Sequence, residues 1–194
     1  MTPDRDAGAA KRLVLRHNDF LNHVAVRHQK EPVPLNFEHL IQINSDDPAV
    51  PSLTREQLWE GLVLRAEQPQ LFVIGLDSCV VHERTDTTLE RELHYGHATV
   101  RDRVTFTPNQ QVRYDIHAAG GEIGGSLTMT IEERDDQELF LRFEYRTTLT
   151  VTDDSEEARQ THGIVKEAYR TSDIDTVRLI REYAQGRKDP DPLH

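Results

Sequence analysis

The succession of short β-type segments between residues 78 and 150 constrains the fold of this chain more than any other feature of its sequence. Across this stretch the helical spacing of apolar residues disappears, and runs rich in β-branched and aromatic residues alternate with turn-forming residues. The pattern predicts six strands, with the sequences SCVVHERT, LERELHY, TVRDRVTFTP, QQVRYDIHA, GSLTMTIEER and ELFLRFEYRTTL. Because short, turn-rich connections join them, neighbouring strands must run antiparallel.

One more strand and a helix precede this series. FEHLIQIN at 37–44 has β-type composition and is followed by the turn-forming run SDDPAVPS. The next segment, LTREQLWEGLVLRAEQP, predicts a helix, because Thr54 and Gln57 have the spacing of a capping box at its first turn. Pro69 suits the first position of one further short helical turn.

A long helix is predicted after the last strand. Ser155 is its expected N-cap, and Gly186 is its expected stop. The polar triplet Thr171-Ser172-Asp173 leaves two shorter helices as an alternative to one continuous helix. The stripe predicted to face the sheet consists of Val165, Ala168, Tyr169, Thr176, Val177, Ile180 and Ala184.

These elements together predict the architecture. A sheet of seven antiparallel strands must bury one face, and the two helical segments are the only large elements available to cover it. We therefore predict an α+β helix-grip fold, in which a seven-stranded curved antiparallel sheet surrounds a long C-terminal helix and encloses an internal apolar pocket. One such domain suits a chain of 194 residues.

The charge distribution suggests the limits of that domain. Residues 1–36 carry six basic and four acidic side chains, although the whole chain has a net charge of −11. This segment is predicted to be an N-terminal extension, either a short helix or mobile. The ligand-binding domain is predicted at 37–187, and the proline-broken segment 188–194 is predicted to be a mobile tail.

Charge and composition exclude several classes of function. A net charge of −11 repels a phosphate backbone, so no nucleic-acid partner is expected. The sequence has no apolar run long enough to span a bilayer, and the single Cys79 cannot form an internal disulfide, so we expect a cytoplasmic protein without a membrane span. No histidine has ligand-type spacing with another histidine or with the cysteine, so neither a metal nor another cofactor is expected.

Strand alternation places an ion pair on the predicted core face. Arg91 shares a face with Leu93 and Tyr95, and Asp102 lies on the corresponding face of the next strand. A two-residue turn at His97-Ala98 would make Arg91 and Asp102 diagonal neighbours. In one interpretation Arg91 anchors an anionic ligand oxygen while Asp102 holds the guanidinium in place. The alternative is a structural ion pair, or strand ends at which both side chains reach water.

Aromatic and apolar side chains complete the predicted pocket. Its tyrosines either supply hydroxyls for hydrogen bonding and proton transfer or are core residues whose hydroxyl is already bonded. His39 is expected to face inward as a hydrogen-bonded core histidine. The predicted pocket residues are Trp59, Arg91, Leu93, Tyr95, Asp102, Tyr114, Met129, Phe143, Tyr145 and Tyr169.

Several stretches carry a resemblance to a known group of proteins. FEHLIQIN, LTREQLWEGLVLRAEQPQLF, RELHYG, DRVTF, LFLRFEY and DIDTVRLIRE are similar to the AtaL-like branch of the START and Bet v 1 type (SRPBCC) helix-grip superfamily. The resemblance covers about residues 35–185. It implies a pocket for a hydrophobic ligand, which some members use for cyclisation or dehydration. It identifies no catalytic residue.

Three hypotheses about function follow. In the first, the chain binds an apolar or aromatic small molecule in an internal pocket, with or without cyclase- or aromatase-like chemistry on a polyketide-type metabolite. In the second, it is an enzyme proper that stabilises an enolate during cyclisation, dehydration or hydrolysis. In the third, it is a non-catalytic interaction module whose core is filled by its own side chains. The sequence leaves the oligomeric state and the choice between binding and catalysis open.

Overall fold

The structure is a computed structural model, and it describes residues 33–117, 124–134, 138–151 and 156–186. The first 32 residues of the predicted extension, the Ser155 cap and the predicted tail lie outside these ranges. The described elements are β1 (Val33–Gln42), α1 (Arg55–Glu67), a 3₁₀ turn (Pro69–Leu71), β2 (Ser78–Arg84), β3 (Thr88–Tyr95), β4 (Ala98–Thr107), β5 (Gln111–His117), β6 (Gly125–Glu133), β7 (Leu139–Val151) and α2 (Glu156–Ala184).

The seven strands form one curved antiparallel sheet in the order β1-β7-β6-β5-β4-β3-β2. Consecutive strands from β2 to β7 are hydrogen-bonded neighbours, as their short connections require. β1 closes the opposite edge by pairing with β7. The predicted α+β helix-grip fold is confirmed.

β1 begins earlier than its sequence pattern indicates. The strand starts at Val33, which pairs with Val151, although the prediction placed its first residue at Phe37. Pro34 lies inside the strand because β1 is an edge strand, where a residue without an N–H group is tolerated. The pairing with β7 is irregular between Pro34 and Asn36.

Helix α1 begins at the predicted capping box. The Gln57 N–H donates to the Thr54 hydroxyl, and the Thr54 N–H donates to the Gln57 side chain. The helix packs closely on α2 at Gly61, where an added Cβ would lie 2.4 Å from Cγ2 of Ile180. Only glycine therefore fits at this crossing without a shift of α2.

Helix α2 is continuous over 29 residues, so the alternative of two helices is wrong. The residues on its buried face are not all those of the predicted stripe. Ala168 is exposed, whereas Asp173 and Leu179 are buried. Asp173 is four residues from both Tyr169 and Val177, so it lies on the same face as they do. Tertiary hydrogen bonds, described below, keep this polar residue inside the helix.

The connection between β3 and β4 sets the register of the predicted ion pair. Tyr95 pairs with Ala98, so the two-residue turn is Gly96-His97 and not His97-Ala98. Gly96 has a φ of 58°, a conformation that glycine adopts at little cost. This turn shifts the pairing by two residues, and Arg91 therefore lies directly opposite Asp102 instead of diagonal to it.

The core lies between the inner face of the sheet and the two helices. Its sheet residues are those that alternation turned inward, and its helix residues come from α1 and the second half of α2. Ile116 lies on the same face by alternation, but it is 36% exposed near the end of β5. Fully buried core residues include Leu58, Leu62, Val104, Val112, Met129, Leu141, Phe143, Leu179 and Ile180.

Candidate functional site

Arg91 and Asp102 form a buried bidentate ion pair on the inner face of the sheet. Nε of Arg91 donates to Oδ1 of Asp102 at 2.9 Å, and Nη2 donates to Oδ2 at 2.5 Å. Nη1 of Arg91 donates to the backbone carbonyl of Ala66 at 2.6 Å. The two side chains are only 3% and 4% exposed. The pair thus joins β3, β4 and the end of α1.

These contacts favour a structural role for Arg91. Three of its five N–H groups, one on each nitrogen atom, donate to protein acceptors, and its Nε/Nη2 edge already holds Asp102, so that edge is not free to bind an anionic ligand. The contact with Asp102 also offsets the desolvation of both charges. Burial alone would lower the pKa of Arg91, but the hydrogen bonds that it donates to Asp102 raise it, so the guanidinium stays charged.

A second arginine, Arg65, also lies over the aromatic ring of Tyr114. The guanidinium carbon of Arg65 is 5.2 Å from the ring centroid of Tyr114, and that of Arg91 is 5.1 Å from it. Sequence reasoning missed Arg65. Its position was readable, because it follows Leu58 and Leu62 at helical spacing and so lies close to the buried face of α1.

Arg65 differs from Arg91 in its hydrogen bonding. Within the described residues, the buried Nε of Arg65 has no hydrogen-bond partner, and the buried hydroxyl of Tyr114 makes no hydrogen bond of full geometry, although it lies close enough to Arg65 to act on its pKa. Although burial by itself would lower the pKa of Arg65, the charges of Tyr114 and Tyr145, a side-chain hydrogen bond with Tyr114 and the charge of Asp173 raise it. The site therefore holds a permanent positive charge that no carboxylate of the described chain neutralises by direct contact.

Asp173, near the middle of α2, is the centre of a second group of polar side chains. Its side chain is completely buried, and its Oδ1 accepts a hydrogen bond of 2.7 Å from the Tyr145 hydroxyl. Its Oδ2 is 2.8 Å from Nε2 of His39. Tyr169 stacks on Tyr145 with a centroid distance of 4.3 Å. Asp173 thus connects α2 to β7 and β1, the two strands at one edge of the sheet.

Burial controls the protonation of this group. Desolvation raises the pKa of Asp173 to about 7, although the Tyr145 hydrogen bond and the Arg65 charge act in the opposite direction. Burial, together with the charge of Arg170, lowers the pKa of His39. His39 is therefore neutral near pH 7, and its Nε2–H can donate to the Asp173 carboxylate. Its buried Nδ1 has no partner among the described residues.

The two polar groups lie within one interior. Tyr114, Leu127 and Tyr145 form a single row across β5, β6 and β7 on the inner face. Arg65 acts electrostatically on tyrosines at both ends of this row and on Asp173. The charged and hydroxyl groups thus surround Arg65, while the neighbouring rows of the sheet are apolar.

Some of the predicted pocket residues are buried in the core, and others are partly exposed. Met129 and Phe143 face each other across β6 and β7 and are fully buried in the core. Trp59 packs edge-on against Phe106 with a centroid distance of 6.4 Å, and Leu93 is buried beside Arg91. The tyrosines that retain partial exposure are Tyr95, Tyr145 and Tyr169.

The inner face is open at one end. Val81 and Ile116 lie in the same rows as Arg91 and Asp102, yet their side chains are 46% and 36% exposed. These two positions are exposed, whereas Arg91 and Asp102, which lie between them in the row, are each 3% exposed. A separate cavity of about 230 Å³ lies at the β1–β7 edge and is lined by Asn36, Phe37, Glu38, Glu144, Tyr145 and Arg146.

No group of three histidine, cysteine, aspartate or glutamate side chains converges for a metal ion in the part of the chain that the structure describes. Across the same residues, neither helix has the length and apolar composition required to cross a membrane.

The long helix α2 held against a curved seven-stranded antiparallel sheet, with buried polar groups between them, defines a helix-grip domain of the SRPBCC class. Residues 39–187 match the family model of AtaL, described as acetylaranotin biosynthesis cluster protein L. The chain belongs to this family. No curated protein matches the sequence.

Solved structures share the fold at low sequence identity. StfQ, a di-domain aromatase/cyclase from the steffimycin biosynthetic pathway, has a TM-score of 0.59 and 12% identity over 93% of this chain and 56% of its own. ZhuI aromatase/cyclase from Streptomyces sp. R1128 has a TM-score of 0.50 and 18% identity over 81% of this chain and 98% of its own. SA2116 of Staphylococcus aureus, a protein of unknown function, has a TM-score of 0.52 and 12% identity over 80% and 98%. The chain thus spans little more than half the length of StfQ.

Proposed function

We propose that the chain binds an apolar or aromatic small molecule between the sheet and the helices, through an anionic or strongly polar oxygen of that molecule. The observation that carries this proposal is the Arg65 guanidinium, which is buried at Nε without a partner among the described residues. A buried charge is costly unless it is paired, so such an arginine is suited to receive its partner from a ligand.

The surroundings of Arg65 indicate what kind of ligand would fit. The neighbouring Tyr114 offers a second hydrogen-bonding group, since its buried hydroxyl lies next to Arg65 and makes no hydrogen bond of full geometry in the described part of the chain. The remaining inner face is built of leucine, valine, methionine and phenylalanine side chains. A phenolate, enolate or carboxylate attached to an aromatic or aliphatic skeleton would satisfy both environments. Hydrogen bonds to charged groups contribute about 1.5–3 kcal/mol each.

The open end of the inner face, beside Val81 and Ile116, is the proposed mouth of the site. In this arrangement Arg91 and Asp102 keep the floor of the mouth in place, and Tyr95 forms part of its wall. The ligand class and the cytoplasmic location expected from the sequence both stay predictions.

A catalytic role is the second candidate. StfQ and ZhuI are described as aromatase/cyclases, and a related reaction on a polyketide-type ligand would need a group that exchanges protons near neutral pH. The observation that favours this role is Asp173, whose buried carboxyl group has a pKa of about 7 and contacts the Tyr145 hydroxyl.

The binding proposal is tested with the anionic aromatic probe 1-anilinonaphthalene-8-sulfonate and the native protein. We expect saturable binding at one site and a loss of at least tenfold in affinity in Arg65→Met. Arg101→Met removes an arginine whose side chain is 71% exposed and is the matched control. Binding that does not saturate, or that is equal in the two variants, would contradict the proposal and favour an interaction module with a filled core.

Native mass spectrometry of the freshly purified protein provides an independent readout. We expect a co-purifying small molecule in the wild type and its loss in Arg65→Met. Its mass would identify the chemical class, and the same spectra would report the oligomeric state.

A further inference from the structure

We propose that Asp173, acting through the Tyr145 hydroxyl, accepts a proton from an enolisable carbonyl ligand bound beside Arg65 and returns it. This inference rests on the proposed binding function and adds the substrate class and the residues that move the proton. Tyr145 is the catalytic residue, since it would touch the ligand. Asp173 and His39 are positioning residues, because they act through Tyr145.

The geometry of Asp173 supports this role. A carboxylate that served only to cap a surface helix would be hydrated, but Asp173 is completely buried in the middle of α2. Its two oxygens have different partners, the Tyr145 hydroxyl on β7 and the His39 imidazole on β1. One oxygen is thus held by His39 while the other is aligned with a hydroxyl that reaches the inner face.

Tyr145 is placed to connect this carboxylate to the interior. It lies on the inner face in the same row as Tyr114, with Leu127 between them. Its ring is fixed from one side by the stacked ring of Tyr169, and Phe37 lies 6.1 Å away across the β1–β7 pair. A hydroxyl with a fixed ring and a fixed acceptor has little freedom to lose when it transfers a proton.

The proton step is balanced. The C–H bond next to the ligand carbonyl breaks, and its proton goes to the Tyr145 oxygen as the Tyr145 proton goes to Oδ1 of Asp173. The electron pair left on the ligand forms the enolate, whose oxygen lies beside Arg65. The negative charge therefore moves from Asp173 to the ligand, and the charge that Arg65 stabilises is the one that develops in the reaction.

The groups that face Asp173 act on its charge in different ways. Burial opposes ionisation, while Arg65 on α1 and the hydrogen bond from Tyr145 on β7 favour it. His39 on β1 faces the second carboxylate oxygen, and Tyr169 is its neighbour on α2. Burial, with a further contribution from the charge of Arg170, lowers the pKa of His39 and keeps it neutral. The proton transfer is thus expected to become faster as the pH rises through about 7.

The test uses benzoylacetone, an aromatic 1,3-diketone, and the full-length protein in D₂O. Saturation-transfer NMR measures binding of the diketone, and the loss of its methylene ¹H signal measures proton exchange above the buffer rate. We expect Tyr145→Phe and Asp173→Asn to lower the exchange rate by about 10²-fold, the lower range for general acid–base catalysis, with affinity within about threefold of wild type. His39→Gln, which can still donate to Asp173, should retain more exchange than His39→Leu. Tyr183→Phe, at an exposed tyrosine, is the control.

The outcomes separate the two proposals. If the wild type binds neither benzoylacetone nor 1-anilinonaphthalene-8-sulfonate, the binding proposal and this inference both fail. If it binds only the second probe, this inference fails and the binding proposal stands. If it binds but exchanges no faster than buffer, or if Tyr145→Phe and Asp173→Asn exchange as fast as wild type, proton transfer through Asp173 is wrong and the binding proposal stands. Because Tyr145→Phe keeps the aromatic stack, it remains a valid test if Asp173→Asn fails to fold.

Discussion

Replacing Arg91 and Arg65 by methionine, one at a time, tests the division of roles between the two guanidinium groups. Both lie just over 5 Å from the Tyr114 ring, and methionine retains much of the side-chain volume in either case. Arg91→Met leaves the carboxylate of Asp102, which is 4% exposed, without its partner. Breaking a buried pair in this way costs about 3–5 kcal/mol in the free energy of unfolding.

Arg65→Met should behave differently. It removes a charge that has no hydrogen-bond partner at Nε within the described chain, so its effect on stability should stay within about 1 kcal/mol and can be of either sign. Its effect on an anionic ligand should be at least tenfold in affinity, which corresponds to about 1.4 kcal/mol. We thus expect one arginine to control stability and the other to control binding.

Urea unfolding of wild type, Arg91→Met, Asp102→Asn and the double variant measures the first effect, and probe titration of the folded variants measures the second. The double variant should be more stable than Arg91→Met alone, because it no longer buries an unpaired charge. The reasoning is refuted if Arg91→Met unfolds within about 0.5 kcal/mol of wild type. It is also refuted if Arg65→Met reduces stability as much as Arg91→Met does.

Three further predictions concern other parts of the molecule. Because the folded protein raises the pKa of Asp173 from 3.8 to about 7, the contribution of Asp173 to stability is fully present below pH 3.8 and is lost as the pH rises to about 7. In urea melts, Asp173→Asn should therefore gain up to about 4 kcal/mol in the free energy of unfolding, relative to wild type, between pH 4 and pH 8. Equal pH slopes for the two proteins would contradict this. Gly61→Ala should lower the free energy of unfolding by about 1–3 kcal/mol, and Ile180→Ala in the same chain should cost less than the two single changes together; strict additivity would contradict the close contact. Deleting residues 1–32 stops before β1 and should leave the melting temperature nearly unchanged, whereas a decrease of more than about 8 °C would show that the segment packs on the domain.

Local patterns were sufficient to predict most of the secondary structure. The six strands from β2 to β7 were readable because alternation and short turn-rich connections report on a few neighbouring residues at a time. The start of α1 was readable for the same reason, since a capping box involves only Thr54 and Gln57. The predicted bounds of a strand were wrong where its pairing partner lies far away in the sequence. β1 extends back to Val33 because β7 is long enough to pair with it, and the sequence of β1 does not contain that information.

The polar site shows the same limit. Alternation placed Arg91 and Asp102 on the inner face correctly, but their direct pairing depended on the turn at Gly96. The helical phase of α1 placed Arg65 near the buried face, and that of α2 placed Asp173 there. A charged residue at such a position is ordinarily interpreted as a boundary of the apolar stripe, so neither was assigned to the pocket.

The sequence by itself determined that this chain forms a sheet of seven antiparallel strands, that a helix must cover one face of it, and which strand side chains share a face, because all three follow from residue spacing along the chain. Only the tertiary structure decided which inward polar groups are paired. Asp102 accepts a hydrogen bond from Arg91 on the adjacent strand, and Asp173 contacts His39, which is 134 residues away in the sequence. Arg65 keeps its Nε without a partner among the described residues, because hydrogen bonding requires atoms within about 3 Å and spacing along one element does not specify that distance.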